Sequence, residues 1–261
     1  MSNLNLSAIR RRVPSGVIWT PTTPGNPDWW HSVELGRIWQ DTAGTTAATT
    51  GGDPVARIDA YYGSNFSQST STLRPYLTTL GSRYAVRSDD TDDNLGVNDT
   101  FGSDSARTFA CIFEIFSAPG ASSAETIVRI GVSPRQIILR HSGLSASSAK
   151  GWHVAVDRTS TNAVCIQGSS PALLSNAIHT IVVRYDGGGT AVAGSYRIWL
   201  DGVEETATTG GNVAASGFGR WLATSVPAEV CNCSVAETIV WNSALSESDC
   251  LSCSAYLEAM R

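Results

Sequence analysis

Between Ile178 and Ala207 apolar and polar side chains alternate in the rhythm of an extended chain. Ile181, Val183 and Tyr185 take one parity, and Thr180, Val182 and Arg184 take the other. That period of two puts successive side chains on opposite faces of a strand. Asp186-Gly187-Gly188-Gly189 interrupts the run, Tyr196–Leu200 resumes it, and Asp201-Gly202 ends it. An Asp-Gly pair between alternating runs predicts a type I′ hairpin turn, which needs positive φ at both central residues. Val203–Ala207 is then the returning strand. The segment reads as an antiparallel meander.

The same rhythm recurs along the chain. In Arg107–Phe116, Phe109, Cys111, Phe113 and Ile115 alternate with Ala110, Ile112, Glu114 and Phe116. One face is wholly apolar and the other nearly so, as in a central strand of a sandwich. Shorter strands are predicted at Arg57–Asp59, Arg83–Arg87, Glu125–Ile130, Gln136–His141, Trp152–Asp157, Ala163–Gln167 and Val235–Trp241. Thr42–Asp53 and Ser64–Thr72 read as small-residue loops. Many short strands separated by turn clusters indicate a sandwich or barrel. The period changes only at the tail, where Cys250, Cys253, Leu257 and Met260 fall at i, i+3, i+7 and i+10. Ser246 is the predicted N-cap of that helix, with Asp249 in the capping-box position.

Residues 1 to 33 follow neither period. They hold Pro14, Pro21, Pro24 and Pro27, the run Arg10-Arg11-Arg12, and Trp19, Trp29 and Trp30. Proline fixes φ and withholds an N–H, so the segment is expected to be an extended arm, with the β domain beginning at residue 34. Two uses of such an arm stay open. It folds back on its own domain, or it docks on a neighbouring subunit through Arg10, Arg11, Arg12, Trp19, Trp29 and Trp30.

Composition narrows the function classes. Charged residues are 16% of the 261, and the formal charge is −5. A net acidic chain with one short basic run argues against general nucleic-acid binding. No apolar run reaches membrane-span length. The N-terminus lacks the order of a signal peptide, so the chain is expected to be soluble, made in the cytoplasm and not exported by the usual route. In that reducing setting most of Cys111, Cys165, Cys231, Cys233, Cys250 and Cys253 are expected to be thiols. Core packing is the expected role of the Cys250-x-x-Cys253 pair, against the alternative of a zinc site shared with Cys231 and Cys233.

Candidate chemistry is sparse. His31, His141, His153 and His179 have no ligand spacing, and no G-x-S-x-G elbow exists. Asp89-Asp90-Thr91-Asp92-Asp93 is a carboxylate cluster of the kind that calcium, as a cofactor, would use. A turn with side chains bonded to local N–H groups explains it better, because adjacent residues of an extended run diverge. Trp152 and Trp221 adjoin glycine-bearing turns and are the candidate glycan contacts.

Three stretches carry a family resemblance. "HTIVVRYDGG…SYRIWLDGVEE" resembles the central strands of concanavalin A-like, laminin-G-like jelly rolls. Trp39, Asp41, Asp59, Arg74-Pro75 and Thr91-Asp92-Asp93 with Leu95 are similar to the opening of such modules in bacteriophage virion proteins. Ile58, the loop Tyr62-Gly63-Ser64-Asn65 and Asp90 depart from that pattern. Glu237, Asn242, Leu245, Tyr256 and Leu257 resemble the closing strand and helix. Together these imply an all-β, two-sheet antiparallel jelly-roll sandwich with an extended N-terminal arm and a short C-terminal helix.

The resemblance also implies a non-enzymatic virion structural protein, exposed on a phage particle as a capsid decoration, head fibre or tail-fibre component. Its expected partners are other virion proteins, further copies of itself, and host-surface glycans. A free carbohydrate-binding lectin-like module is the alternative. Related glycanases need E-x-D-x-E or E-x-D-x-x-E on one strand, and neither full pattern occurs here. Glu204 and Glu205 are adjacent and would face opposite ways on a strand.

Overall fold

A computed structural model describes residues 19–88, 93, 95–96, 106–116, 124–130, 137–142, 151–157, 162–167, 177–187, 195–214, 219–220, 223–224 and 232–261. The strands in chain order begin with β1 (Trp29–Ser32), β2 (Ile38–Trp39), β3 (Arg57–Ile58), β4 (Phe66–Ser67), β5 (Tyr76–Leu80), β6 (Arg83–Arg87) and β7 (Arg107–Ile115). Next come β8 (Ala124–Ile130), β9 (Ile137–Ser142), β10 (Gly151–Asp157), β11 (Asn162–Gln167), β12 (Ile178–Tyr185), β13 (Tyr196–Leu200) and β14 (Val203–Glu205). The last are β15 (Thr208–Ala214), β16 (Gly219–Arg220), β17 (Ala223–Thr224) and β18 (Cys233–Trp241), followed by helix α1 (Glu247–Met260).

Every named pairing is antiparallel. The larger sheet runs β14-β13-β12-β7-β18-β6-β5, with β1 also on β18, and the second runs β15-β11-β10-β9-β8. Ile127, Val128 and Leu139 of the second sheet share one core with Phe109, Cys111, Phe113, Ile115, Ile181 and Val183 of the first. The two sheets therefore face each other as a sandwich. A small sheet, β2-β3-β4, adds Ile38, Ile58 and Phe66 to that core.

The opposite parity of the larger sheet is buried too. Ala110, Ile112, Val182, Trp199 and Ile239 form a second core with Cys250, Cys253 and Leu257 of α1. This is why β7 reads apolar on both faces: one meets the second sheet and the other meets the helix. A bulge at Ala236 adds a residue between Val235 and Glu237, which sit opposite Phe113 and Ile112. It places Glu237 on the helix side.

Two local expectations are met in detail. Asp201 and Gly202 have φ of 49° and 80°, the positive pair a type I′ turn requires, with Leu200 opposite Val203. Ser246 Oγ accepts from Asp249 N at 3.1 Å and donates to Asp249 Oδ2 at 2.5 Å. Ser246→Ala is expected to cost about 1 kcal/mol of stability by losing that cap, measurable in urea unfolding.

The described part of the expected arm, residues 19–33, packs against the β domain. Residues 29–32 form a strand of the main sheet, pairing Trp29 with Val240 through Ser32 with Glu237. Trp19 packs 6.4 Å from Trp241 and 5.6 Å from Tyr256, and Trp241 Nε1 donates to the Pro21 carbonyl at 3.2 Å. The four prolines hide this docking from the periodicity, because they break the chain into pieces too short to alternate. Arg10, Arg11 and Arg12 lie outside the described residues.

Candidate functional site

Among the described residues, polar and aromatic side chains gather where β1 crosses between β18 and the loop after β3. Trp30 N donates to the Tyr62 carbonyl at 3.1 Å, and Tyr61 N donates to the Trp30 carbonyl at 2.7 Å. This backbone bridge stacks the rings. Trp30 and Tyr61 lie 4.7 Å apart at 28°, and Trp30 and Tyr62 lie 6.3 Å apart at 5°. The Arg37 guanidinium sits 3.9 Å from the Tyr61 centroid, held by donation to the Asp59 and Ala60 carbonyls. Tyr61 OH donates to Glu34 Oε2 at 2.5 Å. Burial first, then the Glu34 carboxylate, pushes the Tyr61 phenol up to about 12.

The shelf is open to solvent. Tyr61 keeps 39% of its surface and the neighbouring Leu35 keeps 46%. Trp30 and Tyr62 are half-buried.

Beneath the shelf is a fully buried carboxylate, Glu237. Its Oε1 accepts from Trp30 Nε1 at 2.7 Å and from Tyr256 OH at 3.2 Å. Its Oε2 accepts from Arg83 Nη2 at 2.8 Å and from Ser32 Oγ at 3.0 Å. Burial raises the Glu237 pKa, opposed by the Arg83 charge and the donors from Trp30, Ser32 and Tyr256. Four donors from β1, β6 and α1 thus meet on one residue of β18.

On the other face of β1, His31 is 1% exposed, and Ser64 O lies 2.9 Å from its Nε2. Burial is the main reason its pKa falls to about 4; the Ser64 carbonyl opposes this and Arg37 adds to it. A neutral His31 in the fold and an ordinary one in the unfolded chain make the unfolded state bind more protons between pH 6.5 and 4. His31 therefore contributes stability above pH 6.5 that is lost as pH falls toward 4, about 3 kcal/mol by linkage. The difference in unfolding free energy between wild type and His31→Gln is expected to change by that amount over this window, and a flat difference would refute it.

The motif residues behind the family resemblance serve as braces. Trp39 Nε1 donates to Asp59 Oδ2 at 2.8 Å, and Arg57 pairs with Asp59 at 2.7 Å. Asp41 accepts from the Thr45 and Thr46 amides. Arg74 donates to the Gln40, Gln68 and Ser69 carbonyls. These bonds knit the loops together.

Of the expected site residues, the structure brings Trp30 to the shelf. Trp19 and Trp29 are buried against their own domain, 8% and 7% exposed. Trp152 lies on β10, where only the backbone is described, and Trp221 lies outside the described residues. Asp89 to Asp92 also lie outside them, and Asp93 is buried. No group of three metal-ligating side chains occurs among the described residues.

Cys111, Cys233, Cys250 and Cys253 are free and buried, with burial pushing Cys250 up to about 12 and also raising Cys111 and Cys253. Such thiols are unreactive packing groups. Among the described residues no helix is long and apolar enough to cross a membrane. Sequence reasoning missed Tyr61, Tyr62, Arg37 and Glu34. The available signal was Tyr61-Tyr62-Gly63, paired aromatics in an otherwise polar loop.

No protein-family model matches the chain, and no curated protein does. Among solved structures it is similar to the CBM40 of Ruminococcus gnavus IT-sialidase bound to alpha2,3 sialyllactose. That match has a TM-score of 0.36 and 13% identity, covering 57% of this chain and 82% of that one. It is also similar to Trypanosoma rangeli sialidase in complex with 2,3-difluorosialic acid, with a TM-score of 0.46 and 8% identity over 88% of this chain and 32% of that one. A leech intramolecular trans-sialidase matches with a TM-score of 0.36 and 13% identity, over 59% of this chain and 24% of that one. The chain thus spans a third or less of those two sialidases. What it does is argued from its own side chains.

Proposed function

We propose that this chain is a non-catalytic, glycan-binding β-sandwich module whose binding surface is the Trp30–Tyr61–Tyr62 shelf. The observation that carries the reading is Tyr61, 39% exposed, stacked on Trp30 and flanked by Glu34 and Arg37. Sugar rings present C–H faces that shed water against aromatic rings, and their hydroxyls need charged or polar partners at the rim. The shelf offers the exposed edge of Tyr61, whose ring lies between the Trp30 ring and the Arg37 guanidinium, with Glu34 and Arg37 as the polar partners.

Glu237 is saturated beneath the shelf, and Glu204 and Glu247 are both tied to Arg197. The test is a glycan array probed with the wild type and Tyr61→Ala. The wild type binds a defined subset of glycans, and Tyr61→Ala weakens that binding about tenfold or more, as truncation of a central aromatic contact does. An array with no binding above background would sink the reading.

A second reading concerns setting. The similarity of Trp39, Asp41, Asp59 and Arg74-Pro75 to phage laminin-G-like modules favours a place on a bacteriophage particle. There residues 1–18, which include Arg10, Arg11 and Arg12, link the module to other virion proteins and to further copies of itself. Mass spectrometry of purified particles that lacked this chain would overturn that setting.

A further inference from the structure

We infer that Glu237 is a positioning residue for the aromatic shelf: through the Trp30 indole it sets the stack that Tyr61 presents to ligand, and it ties that stack to helix α1. The inference rests on the glycan-binding reading for its consequence, though not for its geometry. Trp30 is the one shelf residue in direct contact with the buried carboxylate, 2.7 Å from Nε1 to Oε1. Tyr256 of α1 donates to the same oxygen, while Arg83 and Ser32 occupy the other. An indole N–H has one direction, so the carboxylate fixes the rotation of the Trp30 plane. Tyr61 stacks on that plane at 4.7 Å, so its exposed surface inherits the orientation.

The division of partners between the two oxygens makes this testable. Glu237→Gln keeps the volume and replaces one oxygen with an NH2 group. The Arg83 cation holds the remaining oxygen, and the new N–H groups then face Trp30 Nε1–H, donor against donor. The indole must turn away. Tyr256→Phe is the milder variant, removing only the hydroxyl that shares Oε1.

Two readouts are taken on the full chain. The first is the Trp30 contribution to near-ultraviolet circular dichroism, obtained as wild type minus Trp30→Phe, and again in the Glu237→Gln background. The second is affinity for a glycan that binds the wild type on the array. The expected result is loss of most of the Trp30 dichroism in Glu237→Gln and a smaller loss in the same direction in Tyr256→Phe. Affinity falls about tenfold in Glu237→Gln, with no further loss when Glu237→Gln is added to Trp30→Phe.

Unchanged Trp30 dichroism in both variants overturns the inference. So do equal affinity losses with and without Trp30, which mark a merely structural role. If Glu237→Gln fails to fold, Tyr256→Phe decides by the same dichroism. If Tyr61→Ala binds glycan as the wild type does, the glycan-binding reading fails, while the dichroism still decides the positioning role.

Discussion

Glu237→Ala is expected to destabilise the domain by about 3–5 kcal/mol, the usual result of leaving one partner of a buried ion pair without the other. The size follows from what remains. Arg83, whose side chain is 14% exposed, would keep its charge beside an emptied site, and Trp30, Ser32 and Tyr256 would each lose an acceptor. Unpaired buried donors carry a desolvation cost that water outside cannot repay. Because the partners belong to β1, β6 and α1, the loss is felt in all three of these elements. Chemical unfolding measures it. A change under about 1 kcal/mol would mean that the hub contributes little to holding these elements together.

Gly63→Ala is the second large effect, expected at roughly 3 kcal/mol or more from strain and overpacking together. Gly63 has φ of +79°, where a Cβ is strained. That Cβ would also lie 2.3 Å from Trp29 Cδ1 and 2.4 Å from the Asp28 carbonyl oxygen. Backbone and a buried indole cannot both yield, so either β1 shifts or the loop carrying Tyr61 and Tyr62 moves off it. The variant is therefore expected to lose glycan binding along with stability. Unfolding and array binding on the same sample check both, and a variant as stable as the wild type would contradict the packing described here.

What the sequence made legible was local. Alternation located β7, β12 and β13, and Asp201-Gly202 announced its own turn, because each depends on neighbours a few residues apart. The helix was readable from Ser246 and the Cys250-Cys253-Leu257 face for the same reason. Distant partners were not. Trp30 and Glu237 are separated by 207 positions, and Tyr76–Leu80 is a strand whose Thr78 and Thr79 blur its alternation. Glu237 matched a motif letter of the resembling family, yet nothing nearby said that it would collect donors from residues 30, 32, 83 and 256. The expected glycan contacts, Trp152 and Trp221, were chosen for their nearness to turns. Tyr61 carries no such mark, because an exposed tyrosine in a loop has no period.

The central claim is that ligand meets the chain at the Trp30–Tyr61 shelf, and the indole N–H signals of the eight tryptophans test it most directly. The protein would be labelled with nitrogen-15 and titrated with an oligosaccharide that binds it on the array, each indole signal being assigned by substitution. The Trp30 signal is expected to shift in proportion to occupancy, and Tyr61→Ala is expected to abolish the shift. Shifts confined to Trp152 or Trp221, with Trp30 unmoved at saturation, would contradict the account.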